Sequence, residues 1–424
     1  MNRIRNSLRP LLAAREQRRL MIVCVAALVL SFGIGLTSPV VSLYAQSFGV
    51  STSLVGVYIT IFALGRILVT IPAGRAADRW GRRALLGIGP LIIAMAAFGQ
   101  ASIESFWALV AFRLLHGIGS ALAMSAIYLS VADLTTTAER GRITGLFHTA
   151  ILGGLTLGPA VGGFVADRWG LTGPFYGTVI VSLLTGPFLW FYLPERPNAA
   201  AIAEAADGEA PPPPTTAPKT APAKTADRLW RDPNFALVAL AGFSIFVARA
   251  GARDTILPLL GHDVLRLGAQ ELGVVFTVMA AMNLVAVPIA GQVADRMGRK
   301  PAIFIGLLVI AGSNLLLGVT QSYAWFVAGS LLMGFGKGFS EPATMVYMTD
   351  ISPAGRYGTS YGLFLTLRDV GLLLGPVILG RIADLSTLRV PLIVNAGITL
   401  LVGLMFVGLA RETLHRGRLE KRSA

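Results

Sequence analysis

The sequence predicts an all-α polytopic membrane protein: twelve transmembrane helices in two six-helix bundles related by pseudo-twofold symmetry. Three observations predict it. Of 424 residues, 54% are hydrophobic and only 14% charged, where a soluble chain carries about 25% charged residues. Apolar runs of about 20 residues, long enough to cross a ~30 Å hydrocarbon core, recur along nearly the whole length. Several motifs also return at a constant offset of 217 residues, the mark of an internal duplication.

The twelve runs fall at about 20–45, 52–73, 83–102, 106–132, 142–166, 173–193, 233–260, 270–290, 301–320, 324–348, 358–383 and 390–410. They divide the chain into a tail (1–19), a six-helix bundle (20–193), a linker (194–232), a second bundle (233–410) and a second tail (411–424). The basic start "MNRIRNSLRPLLAAREQRRL" precedes a run too long for a cleaved signal peptide, so it reads as a tail before the first helix. The linker, rich in Ala and Pro, buries no core and is expected to be disordered. With both termini and the linker cytoplasmic, 26 of the 36 Lys and Arg lie on the cytoplasmic side, 4 outside and 6 within helices. That is the positive-inside distribution. It explains the net charge of +14 without a basic face for nucleic acid, which is excluded as a partner. The single cysteine, Cys24, allows no internal disulfide. Abundant Ala and a large excess of Arg over Lys point to a bacterium with a GC-rich genome, so the expected location is a bacterial cytoplasmic membrane.

The repeat carries most of the information. "GRAADRWGRR" from Gly74 returns as "GQVADRMGRK" from Gly291, and "RLLHGIGSA" from Arg113 faces "SLLMGFGKG" from Ser330. "GLTLGPAVGG" from Gly154 faces "GLLLGPVILG" from Gly371, and the same offset pairs Asp133 with Asp350 and Asp167 with Asp384. Each copy holds six runs, so both enter the membrane in one orientation. An axis along the membrane normal is expected, with a site where the copies meet near the midplane. Gly74 is expected to end the second helix and permit close backbone approach. Asp78 can accept from neighbouring arginines or sit at a helix N-terminus, where the dipole favours an anion. Gly154, Gly158 and Gly162 recur every fourth residue and leave one bare face for a neighbouring helix. Pro159 frees one backbone carbonyl and bends the helix at that face. The second copy has Leu379 where the first has Gly162.

These motifs resemble the major facilitator superfamily, and within it the twelve-helix drug:proton antiporter branch. The resemblance covers the chain apart from its tails and linker. It rests on Gly74, Asp78, Arg79, Gly81, Arg82 and Arg83, repeated as Gly291, Asp295, Arg296, Gly298 and Arg299. It rests also on Arg113, Gly117 and Gly119 in the fourth run, and on Gly154, Gly158, Pro159, Gly162 and Gly163 in the fifth. The resemblance implies that Asp78 and Arg82, with Asp133 as partner, latch the bundles on the cytoplasmic side in the outward-facing state. It implies that Arg113 takes part in proton transfer and that the fifth-run glycines mark an antiporter. The implied protein is a secondary transporter and not an enzyme: a proton-coupled exporter of drugs or small amphipathic compounds, working by alternating access and conferring antibiotic resistance. Its implied partners are a small-molecule substrate, protons and the lipid bilayer, and it acts as a monomer. The residues alone leave two plainer roles open, a topology anchor for the basic loop and structural hydrogen bonding for Arg113.

Ionisable residues near a helix centre cost about 2.5–3.5 kcal/mol on insertion scales, so they face a bundle interior or a wet cavity. Here they are Arg66, Arg113, Arg249, Arg253, Asp254, Lys337, Glu341, Arg368 and Asp369. Lys337 and Glu341, four apart, can pair. Arg249 and Arg253 share a face and need an anion, water or carboxylate nearby, whereas the neighbours Arg368 and Asp369 are expected to point apart. Proton coupling needs a carboxylate whose pKa moves with its surroundings. Many relatives place one in the first helix, but none lies between Met21 and Ser47 here. The candidates are Asp369 first, then Glu341, then Asp254 nearer the outer mouth. Glu341 could instead be a static partner of Lys337. His116 and His148 titrate near neutrality when unperturbed, but lone histidines between helices are more often packing residues. Tyr44, Phe62, Phe147, Phe276, Met279 and Met282 could line an apolar cavity, or simply pack.

"GFGKGFS" at 334–340 fails the spacing of a phosphate-binding loop, and its glycines read as close-packing positions. With no nucleotide module and no metal or cofactor motif, energy is expected from a proton gradient. One charge moved across 100 mV supplies about 2.3 kcal/mol, enough for roughly a fifty-fold gradient of a neutral solute. Two alternatives remain: a carrier of a defined anionic metabolite on the same fold, and a lipid-handling or sensory membrane protein.

Overall fold

The structure, a computed structural model, describes residues 2–134, 140–192, 232–352 and 357–414. The expected disordered linker and most of the C-terminal tail lie outside the described residues. Among the described residues there is no strand; the chain is a succession of helices. The first half contains α1 (Asn2–Thr37), the short α2 (Val41–Gln46), α3 (Thr52–Trp80), α4 (Arg82–Ser102), α5 (Phe106–Leu134), α6 (Arg140–Trp169) and α7 (Gly173–Tyr192). The second contains α8 (Pro233–Val264), α9 (Ala269–Arg296), α10 (Arg299–Val319), α11 (Tyr323–Ile351), α12 (Tyr357–Asp384) and α13 (Val390–Leu409).

Eleven of these helices carry a stretch long and apolar enough to cross a membrane. The exception among the long helices is α11, whose 29 residues suffice in length but whose hydropathy is lowered by Lys337 and Glu341 in mid-helix. Both halves pair their helices in the same pattern. In the first, α1 packs on α6 and α7, and α4 on α5 and α7. In the second, α8 packs on α12 and α13, and α10 on α11 and α13. The duplication is therefore structural as well as sequential. Val23, Ala27, Leu85, Ile127 and Phe147 belong to one buried apolar cluster, and Phe235, Ile303, Tyr347, Phe364 and Phe406 to the other.

The chain forms two compact units. One comprises Met1–Phe48, Ile61–Pro211 and Gly268–Thr277; the other Gly49–Thr60, Pro212–Leu267 and Val278–Ala424. The opening turns of α3 thus belong to the second unit, and those of α9 to the first. Glycines explain both attachments. In the first unit, a Cβ on Gly163 would lie 2.8 Å from the Gly273 Cα, and one on Gly273 would strike the Pro159 carbonyl. In the second, a Cβ on Gly380 would lie 2.6 Å from the Thr52 carbonyl oxygen, and one on Gly56 would strike the Pro376 carbonyl. Real Cβ contacts lie at about 3.4–4 Å, so only bare backbones approach this closely.

Three local readings need correction. The first apolar run is broken at 38–40, where Pro39 can neither donate its ladder hydrogen bond nor clear the preceding carbonyl. Gly74 does not end its helix: α3 runs on to Trp80, and a Cβ on Gly74 or Gly291 would meet nothing within 4 Å. The chain reverses instead at Gly81 and Gly298, whose φ of 81° and 114° only glycine adopts without strain. Finally, α8 is not a uniform α-helix; residues Ala248–Ile256 and Leu260–Val264 are π-helical.

Candidate functional site

Helix α6 supplies the scaffold of the first half. A Cβ on Gly154 would strike the Leu28 carbonyl, one on Gly158 would lie 2.6 Å from the Gly35 Cα, and one on Gly162 would strike the Leu36 carbonyl. All three glycines therefore face α1, the bare face expected of that spacing. Gly163, one residue on, faces α9 instead. In the second half Gly371 and Gly375 do the same against Phe243 and Val247 of α8. Leu379, which replaces the third glycine, is accommodated by Gly251, where a Cβ would lie 2.8 Å from the Leu379 Cδ1. Large and small are thus arranged differently in the equivalent helix pairs of the two halves. The glycines of "GFGKGFS" also pack: Gly336 meets Ile310 and Gly306 of α10, and Gly338 meets Asn283 of α9.

Within the first unit a polar thread crosses the apolar interior. The Tyr44 hydroxyl donates to the Gln100 carbonyl at 2.7 Å, and the Gln100 amide lies 3.2 Å from His116 Nδ1. His116 sits edge-on to Phe62, and the Arg113 guanidinium lies 4.8 Å from the centroid of the same ring. Arg113 and His116 are both buried, as packing or hydrogen-bonding residues would be. His148 is exposed. Arg66 is exposed on α3. Gln100 went unnoticed because an uncharged amide in an apolar run carries no signal beyond its own polarity. Tyr44, Phe147, Phe276 and Met279 are buried core residues, which is the packing role.

The second unit holds the densest intramembrane charge. Arg249, Arg253 and Asp254 lie on the π-helical part of α8, where the wider turn is marked by the Leu257 backbone N–H reaching the Ala252 carbonyl five residues back, and the Thr255 hydroxyl donates to the Ala250 carbonyl at 2.8 Å. Such segments recur at functional sites. Arg253 pairs with Asp254 at 2.6 Å and reaches Met279 Sδ at 3.0 Å. Lys337 and Glu341 face each other on α11 at 3.7 Å. Arg368 and Asp369 do not point apart as expected; the long arginine folds back so that Nε and Nη2 lie 3.2 and 3.1 Å from one carboxylate oxygen. The Arg368 guanidinium also stands 4.3 Å from the Phe246 ring centroid. All three candidate carboxylates thus hold a neighbouring cation, an arrangement in which protonating the carboxylate releases the cation.

The basic loops form a matched pair. Arg82, at the start of α4, binds Asp133 at the end of α5, with Nη2–Oδ1 at 3.2 Å. Arg299, at the start of α10, binds Asp350 at the end of α11 at 3.1 Å and Asp295 at 3.2 Å. The Arg83 guanidinium lies 5.0 Å from the Trp190 ring centroid. Arg79 and Arg296 close the basic ends of α3 and α9. Asp78 lies in the last turn of α3; its side chain falls outside the described residues. Sequence reading missed Glu412, whose carboxylate accepts from the backbone N–H of Arg299 and Lys300 at 2.9 and 3.0 Å. It also missed Gly56 and Gly273, which share the 217-residue offset within "VGVYIT" and "LGVVFT".

Comparison with known proteins agrees with this geometry. A family model described as Major Facilitator Superfamily matches residues 23–281 and 250–423. The chain is 25% identical over 395 residues to multidrug resistance protein 2 of Bacillus subtilis, covering 92% of this chain and 94% of that one. It is 22% identical over 398 residues to the quinolone resistance protein NorA of Staphylococcus aureus, covering 92% and 95%. Among solved structures, a D-xylose-proton symporter superimposes with a TM-score of 0.71 at 20% identity, covering 93% of this chain and 98% of that one.

Proposed function

The chain belongs to the major facilitator superfamily, and from that premise we propose that it is a proton-coupled exporter of drugs or other small amphipathic compounds. It is a multi-pass transporter of the cell membrane and not an enzyme; the proposal concerns its substrate, direction and coupling. One observation carries it: curated relatives matching more than nine-tenths of the chain are drug-resistance proteins. The glycine face of α6 and its tight seat on α1 support the antiport reading.

In this reading the proton gradient alone drives the cycle, with no cofactor, in a monomer whose termini are cytoplasmic. Two bundles, 20–193 and 233–410, alternate access to the substrate, and the loop carrying Asp78 and Arg82, with Asp133 at the end of α5 as partner, latches their cytoplasmic side. Asp369 is the first coupling carboxylate and Glu341 the second. Each holds a cation while ionised, so protonation uncouples the pair and substrate binding can respond. Arg113 assists the transfer from the first half. The test is ethidium transport by proteoliposomes under an imposed pH gradient, comparing wild type with Asp369→Asn and Glu341→Gln. Loss of gradient-driven accumulation in Asp369→Asn is expected; both variants transporting like wild type would remove these carboxylates from the mechanism.

A further inference from the structure

Charge accounting among the intramembrane residues of the second unit leaves one cation over. Arg249, Arg253, Lys337 and Arg368 face three carboxylates, and each carboxylate holds a neighbour: Asp254 with Arg253 at 2.6 Å, Glu341 with Lys337 at 3.7 Å, Asp369 with Arg368 at 3.1 Å. Arg249 has no ion pair and no hydrogen bond among the described residues, and its Nε is buried without a partner. The Phe246 ring lies 5.4 Å from its guanidinium carbon, centroid to carbon, and Glu341, Lys337 and Arg253 lie within electrostatic reach. Phe246 is itself buried and also lies 4.3 Å from the Arg368 guanidinium.

An arginine cannot shed its proton and presents five N–H donors in a planar fork. In a membrane interior with one cation more than carboxylates, where it shares the field of Glu341 with Lys337 and Arg368 but forms no pair of its own, it is a binding group short of a ligand. We propose that Arg249 is the anchor for the carboxylate of an aromatic or amphipathic organic anion or zwitterion, whose apolar body lies near Phe246. The fork matches a carboxylate bidentately. The π-helical turn that carries Arg249 supplies the local widening, and the Phe246 ring beside it supplies an apolar face. The proposal deepens the exporter reading, because it names the substrate group that the charged core of the second half receives. It applies equally to a carrier of a defined anionic metabolite, and proton-driven ethidium transport tells those two apart.

The test is equilibrium binding in nanodiscs, without any gradient, so that it stands or falls separately from proton coupling. The probes are 2-naphthoate, 2-naphthylmethanol and 2-naphthylmethylammonium. Wild type is expected to bind 2-naphthoate about tenfold or more tightly than the alcohol, the worth of a charge-assisted hydrogen-bonded pair. Arg249→Gln loses that preference and leaves alcohol binding in place; Arg249→Lys, which keeps the charge but not the fork, retains part of it and serves if the glutamine variant fails to fold. No preference in wild type overturns the proposal, as does full preference in a folded Arg249→Gln protein. If 2-naphthoate binds tightly only to Glu341→Gln, then Glu341 is the counter-ion of Arg249 and the proposal is wrong.

Discussion

Substituting Gly162 by alanine tests the helix packing at a single carbon. The added Cβ would lie 2.6 Å from the Leu36 carbonyl carbon and 2.8 Å from its Cα, besides striking the carbonyl oxygen. These are backbone atoms, so no rotamer change relieves the overlap; α6 and α1 must separate along the whole Gly154–Gly158–Gly162 face. Overpacking a well-fitted site costs typically 1–3 kcal/mol, and a contact that separates two helix backbones belongs at about the upper end. Gly74→Ala is the matched control. Nothing lies within 4 Å of its Cβ, so the helix-propensity gain of about 1 kcal/mol for replacing glycine should appear undiminished. Thermal unfolding of the purified protein in detergent reads both. Gly162→Ala should melt several degrees below wild type, and Gly74→Ala at or above it. A Gly162→Ala protein that melts with wild type would refute the packing argument for the whole stripe.

Other contacts make smaller, separable predictions. Asp384 accepts from the backbone N–H of Thr52 and Ser53 at 2.7 and 3.0 Å, so Asp384→Ala should remove about 1 kcal/mol of capping and speed hydrogen exchange selectively in the first turn of α3. Glu412→Ala should likewise speed exchange at Arg299 and Lys300, the two amides it caps, with little effect elsewhere. The Arg82–Asp133 pair is about a quarter exposed on each side, so a double-mutant cycle on stability should give no more than about 1 kcal/mol. Should Asp133→Asn abolish transport while unfolding within that margin, the pair acts in gating; equal small losses in both would assign it to structure alone.

Much of this was legible in the sequence because duplication writes the same constraint twice. The constant offset located the basic loops, the fourth-helix glycines and the α6 stripe, and each proved to be a site of close backbone contact or ion pairing. What escaped reading depends on geometry rather than residue type. Gly56 and Gly273 share the offset, yet nothing in their neighbourhoods says which distant helix they would meet. The π-helical turns of α8 arise from hydrogen-bond register, which apolar periodicity does not encode. Arg368 and Asp369, one position apart, were expected to diverge by helix geometry, but a long side chain can fold back where burial makes pairing favourable. Gly74 was misread because a glycine in a motif suggests a turn, whereas the turn residue is the one with positive φ, Gly81.

The central claim is that the outward movement of substrate is driven by protons. It is tested most directly in proteoliposomes with an acidic lumen, following ethidium and lumenal pH together. The account predicts that ethidium accumulates inside against its gradient, that lumenal pH rises in step, and that both changes stop when an uncoupler is added. Ethidium entry at the same rate with and without the pH gradient, or accumulation with no rise in lumenal pH, would contradict it.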